Sequence, residues 1–356
     1  MSIIRKVVTE NAPYHVDQKE IVQVVRNLFG DHFSDIERLL RVFGNGQIEG
    51  RYFAAPLEWF EKERGLEEKN LLYIEEAVRM GSRAVERCLS ESGTEKEEVD
   101  AFIFVSSSGM STPTIDARIM NELKMPPHIK RLPIWGLGCA GGAAGLSRAH
   151  DYCRAYPEAK VLVLCLELCS LTFQRTDLSK SNLIGTSLFS DGSACALVTG
   201  IKAEGDDTGF FIHDTQSTLM ADSEDVMGWD VKDEGLHVVF SRDIPRIIES
   251  WLKPNLDQFL EKLGRKPEDI LHFIAHPGGK KVLGAYEKSL SIGAEKTENA
   301  RNVLRDFGNM SSPTVLYVLK EFMKQQPNAG EQGILTALGP GFSSEMLWVE
   351  WRGQNG

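Results

Sequence analysis

The stretch Leu132-Pro-Ile-Trp-Gly-Leu-Gly-Cys139-Ala-Gly-Gly-Ala-Ala-Gly-Leu-Ser-Arg-Ala-His150 decides the fold. A short apolar run (Ile134, Trp135, Leu137) ends in glycines, and from about Gly141 the small residues read as a helix. Glycines on both sides of the cysteine permit a tight turn and the close approach of another backbone or of a substrate. Strand, glycine corner and helix form the unit from which α/β folds are built, and this corner presents one side chain, Cys139. A cysteine at a helix N-terminus feels the positive end of the dipole, which favours thiolate over thiol. The ordinary alternative is a buried cysteine acting as a small hydrophobe, so the partners elsewhere in the chain must decide.

On the N-terminal side, residues 17–43 read as a helical region with Ile21, Val24, Val25, Leu28 and Phe29 on one apolar face. Arg38 and Arg41 share a face of its second part. An amphipathic helix follows from about Leu71 to Leu89, and Thr94 with Glu97 has the spacing of a capping box. Ala101-Phe-Ile-Phe-Val105 then reads as a buried strand ending in Ser106-Ser-Ser-Gly109. Beyond the cysteine helix, Lys160–Leu166 is a second buried strand. A polar loop (174–182) leads to a turn that feeds a strand ending at Val198, and residues 226–235 read as a polar connection.

The second part of the chain repeats this grammar. Residues 244–264 read as helical with a break at Pro254. Ile270-Leu-His-Phe-Ile-Ala275 ends in His276-Pro-Gly-Gly279, as Ala101–Val105 ends in Ser106–Gly109. Gly308-Asn309-Met-Ser-Ser-Pro opens an apolar helix (314–323), in the place that Gly138-Cys139 holds earlier. Gly333–Phe342 followed by Met346–Trp351 echoes the segment around Phe189. Alternating strands and helices imply an α/β fold, and the duplication implies two halves, 1–225 and 226–356, with strand ends converging on one central site.

Bulk composition narrows the function. The chain has 356 residues, 42% hydrophobic and 26% charged, as ordinary globular proteins do. Its net charge of −11 argues against a general attraction to nucleic acid or to an anionic membrane. No run of about 18 uncharged apolar residues exists, so no membrane span is expected. The opening Met1-Ser-Ile-Ile-Arg-Lys-Val-Val lacks the apolar core of a signal peptide. The cysteines at 88, 139, 153, 165, 169 and 195 have no metal-ligand spacing, so no metal is expected and a reducing cytoplasm fits.

The repeat places Cys139, His276 and Asn309 each at a glycine-rich strand-to-helix corner, where α/β sites form. An imidazole within reach can hold a thiolate–imidazolium pair. A carboxamide beside it donates N–H without charge, which suits an oxyanion that comes and goes. Singly, the histidine could be a satisfied strand-end residue, the asparagine a helix cap and Phe189 core. Two enzyme classes use Cys, His and Asn in this order. One is the papain-like cysteine proteases, whose local signature is missing. The other is the carbon–carbon bond-forming condensing enzymes, in which the cysteine carries an acyl thioester while His and Asn stabilise an enolate.

At Gly138-Cys139-Ala-Gly-Gly142, Leu188-Phe189-Ser-Asp-Gly192, Ile274-Ala-His276-Pro-Gly-Gly279, Gly308-Asn309-Met-Ser-Ser312 and Gly339-Pro-Gly-Phe342 the chain resembles the type III polyketide synthases, the chalcone and stilbene synthase-like enzymes. The resemblance runs through nearly the whole chain. It implies a duplicated, thiolase-like αβαβα layered fold and a homodimer. It also implies free coenzyme A thioesters, an acyl-CoA starter and malonyl-CoA, as substrates with no separate cofactor. Carried over, Cys139 is the acyl-accepting nucleophile, and His276 and Asn309 are the decarboxylation and oxyanion residues. Phe189 is then the gatekeeper, with Cys169, Thr172, Trp229 and Ser311 around the cavity. Arg38, Arg41, Lys280 and Lys281 are candidates for the coenzyme A phosphates.

Cys169 stands where plant enzymes usually carry threonine, and Trp229 falls where a small residue is usual. The phrases Trp-Gly-Leu-Gly-Cys-Ala-Gly-Gly and Glu-Leu-Cys-Ser-Leu-Thr-Phe-Gln are similar to the bacterial branch, many of whose members load fatty acyl-CoA and release alkylpyrones or alkylresorcinols. Two alternatives stay open at this point: a ketoacyl synthase III-like enzyme making one condensation, and a non-catalytic thiolase-fold protein that binds acyl-CoA.

Overall fold

The computed structural model describes residues 1–33, 35–241 and 243–353. Its frame is a nine-stranded mixed sheet. In chain order the strands are β1 (Ser2–Asn11), β2 (Ala101–Val105), β3 (Lys130–Ile134), β4 (Lys160–Leu168), β5 (Asp191–Gly200), β6 (Gly209–Leu219), β7 (His272–Ala275), β8 (Gln332–Gly339) and β9 (Ser343–Arg352). Across the sheet they run β7-β8-β9-β6-β1-β5-β4-β2-β3. The duplication is legible in the pairing. In one half β2 lies parallel to β4 and β4 antiparallel to β5; in the other β7 lies parallel to β8 and β8 antiparallel to β9. The halves join where β6 pairs antiparallel with both β1 and β9.

Strand chemistry follows from burial on both faces. Successive side chains of a strand point to opposite sides, so a strand covered on both reads as a continuous apolar run. Ala101, Ile103 and Val105 enter one core cluster with Val161, Val163 and Cys165. Phe102 and Phe104 enter a second cluster with Leu162, Leu164 and Leu166. The first cluster also holds the two central helices, Gly141–Ala155 and Thr314–Gln325, which lie between the halves. The helix Gly141–Ala155 packs on β2, β4 and β5 on one side and on β8 and β9 on the other. The helix Leu66–Ser92 covers the outer face of β1, β4 and β5, and helices between Ile244 and Leu290 cover the other outer face. Helix, strand, helix, strand, helix is the layered α/β fold that the sequence implies.

Close contact of the central helices needs glycine. A Cβ on Gly142 would sit 2.3 Å from the Ser312 carbonyl oxygen, and one on Gly145 would sit 2.8 Å from a methyl of Val163.

Local expectations differ from the structure in four places. The capping pair is Glu95 with Glu98, not Thr94 with Glu97. Gly93 ends the long helix in a left-handed conformation and Thr94 N donates to Leu89 O, so Thr94 belongs to that ending. Residues 180–188 are a helix and not a turn, because Ser179 caps it by accepting from Asn182 N. The polar connection at 226–235 is mostly strand: Met227–Lys232 pairs antiparallel with Gly235–Phe240, and Gly235 takes φ 139° beyond the tight turn. The helical run 244–263 passes Pro254 unbroken, since Pro254 sits in the first turn of Lys253–Leu263 and a π-turn at 248–252 precedes it.

Candidate active site

Cys139 sits in a single 3₁₀ turn (Gly138–Ala140) between β3 and the helix Gly141–Ala155. Gly138 has φ 45°, and a Cβ there would meet the Pro340 ring at 2.8 Å. A Cβ on Gly339 would meet Leu137 O at 2.5 Å. The Gly-Pro-Gly loop is thus pressed against the nucleophile corner, an approach that side chains would block. His276 follows β7 and its backbone N–H donates to Thr336 O on β8. Asn309 is bridged to Phe189: Asn309 N donates to Leu188 O (2.8 Å) and Ser190 N donates to Asn309 O (2.9 Å).

These three residues, from distant parts of the chain, line one pocket of about 420 Å³. All are buried, with Cys139 7% and His276 and Asn309 2% exposed. The Asn309 carboxamide is held at both ends: Nδ2 donates to Gly278 O (2.8 Å) and Oδ1 accepts from Ser311 N (2.8 Å). Asn309 and Ser311 lie near enough to the Cys139 thiol to favour its ionised form. The asparagine is therefore no simple helix cap; Pro313 precedes the helix Thr314–Gln325. His276 differs, because neither ring nitrogen has a partner among the described residues.

Burial opposes the helix dipole at this corner. Burial pushes the Cys139 thiol up to about 11, outweighing Ser311 and Asn309. Burial also lowers His276 to about 3. Desolvation penalises both charged forms, so burial favours the neutral thiol and the neutral imidazole.

A buried carboxyl, Glu167, escaped the sequence reading and links the two halves behind the site. Its Oε2 accepts from Ser107 N (2.9 Å), and Oε1 accepts from Ser312 Oγ (3.0 Å). Ser107 Oγ in turn accepts from Gly136 N and Gly138 N, the residues leading into Cys139. Burial raises Glu167 to about 7. Its only sequence signal is an acidic residue inside an otherwise apolar strand.

The remaining candidates divide. Ser311 (φ 57°) lies near the thiol, while Lys280 and Lys281 are exposed at the pocket and line it. Lys180 joins them there, unforeseen from sequence. Arg38 and Arg41 are exposed on the helix Ile36–Asn45, whose Val42 and Asn45 line the pocket, but they do not line it themselves. Arg38 is paired with Asp35 at 2.9 Å. Cys169 and Thr172 line a second cavity of about 50 Å³ together with Phe189. The Phe189 ring packs against Phe240, a wall of the main pocket, and against Trp229, each at 5.6 Å. Trp229 lines neither cavity and acts on the site through that ring. Among the described residues no group of three His, Cys, Asp or Glu could hold a metal ion.

Comparison with known proteins gives this geometry its context. Residues 14–201 match the N-terminal domain of the chalcone and stilbene synthases, and residues 211–351 match the C-terminal domain. The chain is 51% identical to a putative chalcone synthase of Bacillus subtilis (strain 168), with 99% of both chains aligned. It is 30% identical to a phloroglucinol synthase of Pseudomonas fluorescens over 95% of this chain and 96% of that one. The solved structure of 1,3,6,8-tetrahydroxynaphthalene synthase from Streptomyces coelicolor A3(2), a bacterial type III polyketide synthase, superposes with a TM-score of 0.93 at 29% identity, covering 99% of each chain. Sequence, fold and pocket agree: the chain belongs to the chalcone and stilbene synthase family, the type III polyketide synthases, which are acyltransferases that join acyl units by decarboxylative Claisen condensation.

Proposed function

We propose that this enzyme loads a fatty acyl group from coenzyme A onto Cys139, extends it with malonyl-CoA and releases an alkylpyrone. The observation that carries the proposal is the shared pocket of Cys139, His276 and Asn309, with an imidazole that has no partner among the described residues. Cys139 Sγ attacks the starter carbonyl, its proton passes to His276, and coenzyme A leaves as the thiol. Malonyl-CoA then occupies the pocket with its thioester oxygen facing His276 and Asn309. Loss of CO₂ leaves an enolate, which these donors stabilise. The enolate carbon attacks the acyl carbon on Cys139, the C–S bond breaks, and the lengthened chain leaves on coenzyme A for another round. Attack of an enol oxygen on the thioester carbonyl breaks the C–S bond, the enol proton passes to the departing thiol, and the pyrone closes. Neutral donors suit this sequence because they favour the transient anion without holding the starting carboxylate too tightly.

Two features support the substrate class. The pocket walls are largely apolar, with Ile184, Leu188, Met227, Phe240, Ile248 and Val282 among them, as a hydrocarbon chain requires. Lys180, Lys280 and Lys281 supply positive charge on the same pocket, placed to meet coenzyme A phosphates, with Arg38 and Arg41 on the flanking helix. The working unit is a homodimer. Leu71 (61% exposed), Met110 (37%) and Trp135 (52%) form an apolar patch tied together by the Asn70–Met110 bonds and by Trp135 Nε1 donating to Gly109 O. Six free thiols suit a reducing, cytoplasmic setting, and among the described residues no helix is long and apolar enough to cross a membrane.

The test is mass spectrometry of products from purified enzyme, a panel of acyl-CoA starters and labelled malonyl-CoA, with no carrier protein. Multi-round alkylpyrones are expected from the wild type, and none from Cys139→Ala. One-round products, or dependence on a carrier protein, overturn the proposal. A second reading rests on the relatives named for tetrahydroxynaphthalene and phloroglucinol, both aromatic polyols. Carbocyclic phenols made from malonyl-CoA alone in the same experiment would establish it.

A further inference from the structure

The hairpin that brings Met227 and Phe240 to the pocket is anchored at its far end by side chains outside the site. Met227 and Phe240 face each other at its open end, Trp229 lies opposite Val238, and Lys232 and Gly235 flank the turn. Five steps of about 3.4 Å put the turn roughly 17 Å from the pocket end. Residues 230–234 are exposed, so the outer end of the ribbon gains little from packing. Two buried polar side chains hold it. Lys69, in the first turn of the helix Leu66–Ser92, is 8% exposed. Its Nζ donates to Glu234 O (3.2 Å), to Phe173 O (3.0 Å) and to Gln174 Oε1 (2.7 Å). An ammonium has three N–H groups, and these acceptors use all of them. Gln174, 2% exposed, donates from Nε2 to Leu236 O (3.1 Å), on the other side of the turn.

The clasp is itself braced. Asn182 Nδ2 donates to Gln174 O (2.7 Å), and Asn182 Oδ1 accepts from Gln174 N (3.3 Å). A Cβ on Gly235 would lie 2.7 Å from Gln174 Nε2 and 3.5 Å from Lys69 Nζ, so the two side chains close on the turn where it carries none. Neither Lys69 nor Gln174 lines the catalytic pocket. Their bonds are nonetheless costly to lose, because a buried ammonium or amide left without partners keeps its full desolvation penalty. We infer that Lys69 and Gln174 are positioning residues that set which acyl lengths Cys139 accepts. They fix the ribbon so that Met227 and Phe240 hold their places in the pocket wall and Trp229 stays on the Phe189 ring. Without them the ribbon swings about its pocket end, Trp229 leaves Phe189, and the wall at Phe240 shifts with it.

The inference rests on the proposed function for the acyl group on Cys139, so one of its two measurements needs no substrate. Hydrogen–deuterium exchange compares the wild-type enzyme with Lys69→Met and Gln174→Leu. Amides of residues 227–240 are expected to exchange about tenfold faster in both variants, with the helices Gly141–Ala155 and Thr314–Gln325 unchanged. Intact-protein mass spectrometry then follows the loading of Cys139 from butyryl-, octanoyl- and palmitoyl-CoA. The ratio of loading rates for the longest and shortest chains is expected to change by about fivefold or more in both variants. A purely structural role would lower all three rates by one common factor. Circular dichroism checks folding, and Gln174→Glu, which keeps the acceptor for Lys69 and loses the donor to Leu236 O, replaces a variant that does not fold. Unchanged exchange in the hairpin, or an unchanged ratio beside faster exchange, overturns the inference. A wild-type enzyme that loads no acyl-CoA of any length defeats the proposed function instead, and the exchange measurement alone then decides the clasp.

Discussion

Replacing Gly142 with alanine tests how far the site depends on the contact of the two central helices. The added Cβ would lie 2.3 Å from the Ser312 carbonyl oxygen, 2.6 Å from a Val315 methyl and 2.9 Å from a Leu316 methyl. Ordinary contact begins at 3.4 Å, so the helices must part by roughly 1 Å. The nearest atom is backbone and cannot rotate away. One helix carries Cys139 at its start; the other is preceded directly by Asn309 and Ser311. A parting of this size shifts the nucleophile relative to Asn309 and Ser311, and a misplacement of about 1 Å can lower a rate by about 100-fold. Stability should fall by about 1–3 kcal/mol, the usual cost of overpacking.

Gly145→Ala is the control. Its Cβ meets methyls of the strand residues Val163 (2.8 Å), Val105 (3.1 Å) and Ile103 (4.0 Å). Urea unfolding and kcat/KM for malonyl-CoA consumption should show both variants destabilised and only Gly142→Ala catalytically impaired. Gly142→Ala with kcat/KM within twofold of wild type, or equal kinetic losses in both variants, would refute the reasoning.

Other outcomes follow from charge and exposure. Burial holds the Glu167 carboxyl at about 7, above the 4.5 of an exposed glutamate, so the folded state keeps a proton that the unfolded chain releases. The stabilisation from Glu167 is full below about pH 4.5 and declines as pH rises to about 7, by about 3 kcal/mol in all. Urea titrations should therefore show Glu167→Gln gaining by that amount on the wild type across this window; a gap that does not change with pH contradicts the account. Lys280→Glu with Lys281→Glu should raise KM for coenzyme A thioesters by about tenfold at low salt with kcat little changed, and added salt should shrink the difference. An equal KM at low salt would remove these lysines from the phosphate site. Trp135→Glu places a charge in the exposed apolar patch and should turn a dimer into a monomer in light scattering; an unchanged mass moves the interface elsewhere.

Much of the fold was legible because it is written in local patterns. Ala101–Val105 and Lys160–Leu166 are continuous apolar runs, and both faces of each are covered. The corners of Cys139, His276 and Asn309 announce themselves by glycine and by recurrence, and the chain brings all three to one pocket. What escaped depends on distant packing or on solvent. Residues 226–235 are polar because their hairpin lies outside the main sheet, half-exposed, so burial left no pattern to read. The helix 180–188 was hidden by Gly185, which the Phe189 ring needs at that place: a Cβ there would meet it at 3.2 Å. The state of the Cys139 thiol depends on how completely the fold dries it, which no neighbour in sequence records. Arg51 and Glu167 look unremarkable in the sequence because the carbonyls that Arg51 meets, at Thr186 and Phe189, and the Glu167 partners Ser107 and Ser312 come from distant segments.

The hairpin Met227–Phe240 has a consequence for diversification. It forms its own two-stranded sheet, yet supplies Met227 and Phe240 to the pocket and rests Trp229 on Phe189. Cavity shape is thereby governed by a ribbon that can mutate without disturbing strand order or the central helices. A lineage could trial new chain lengths and ring closures on this interchangeable part while the reaction chemistry stayed insulated from the experiment.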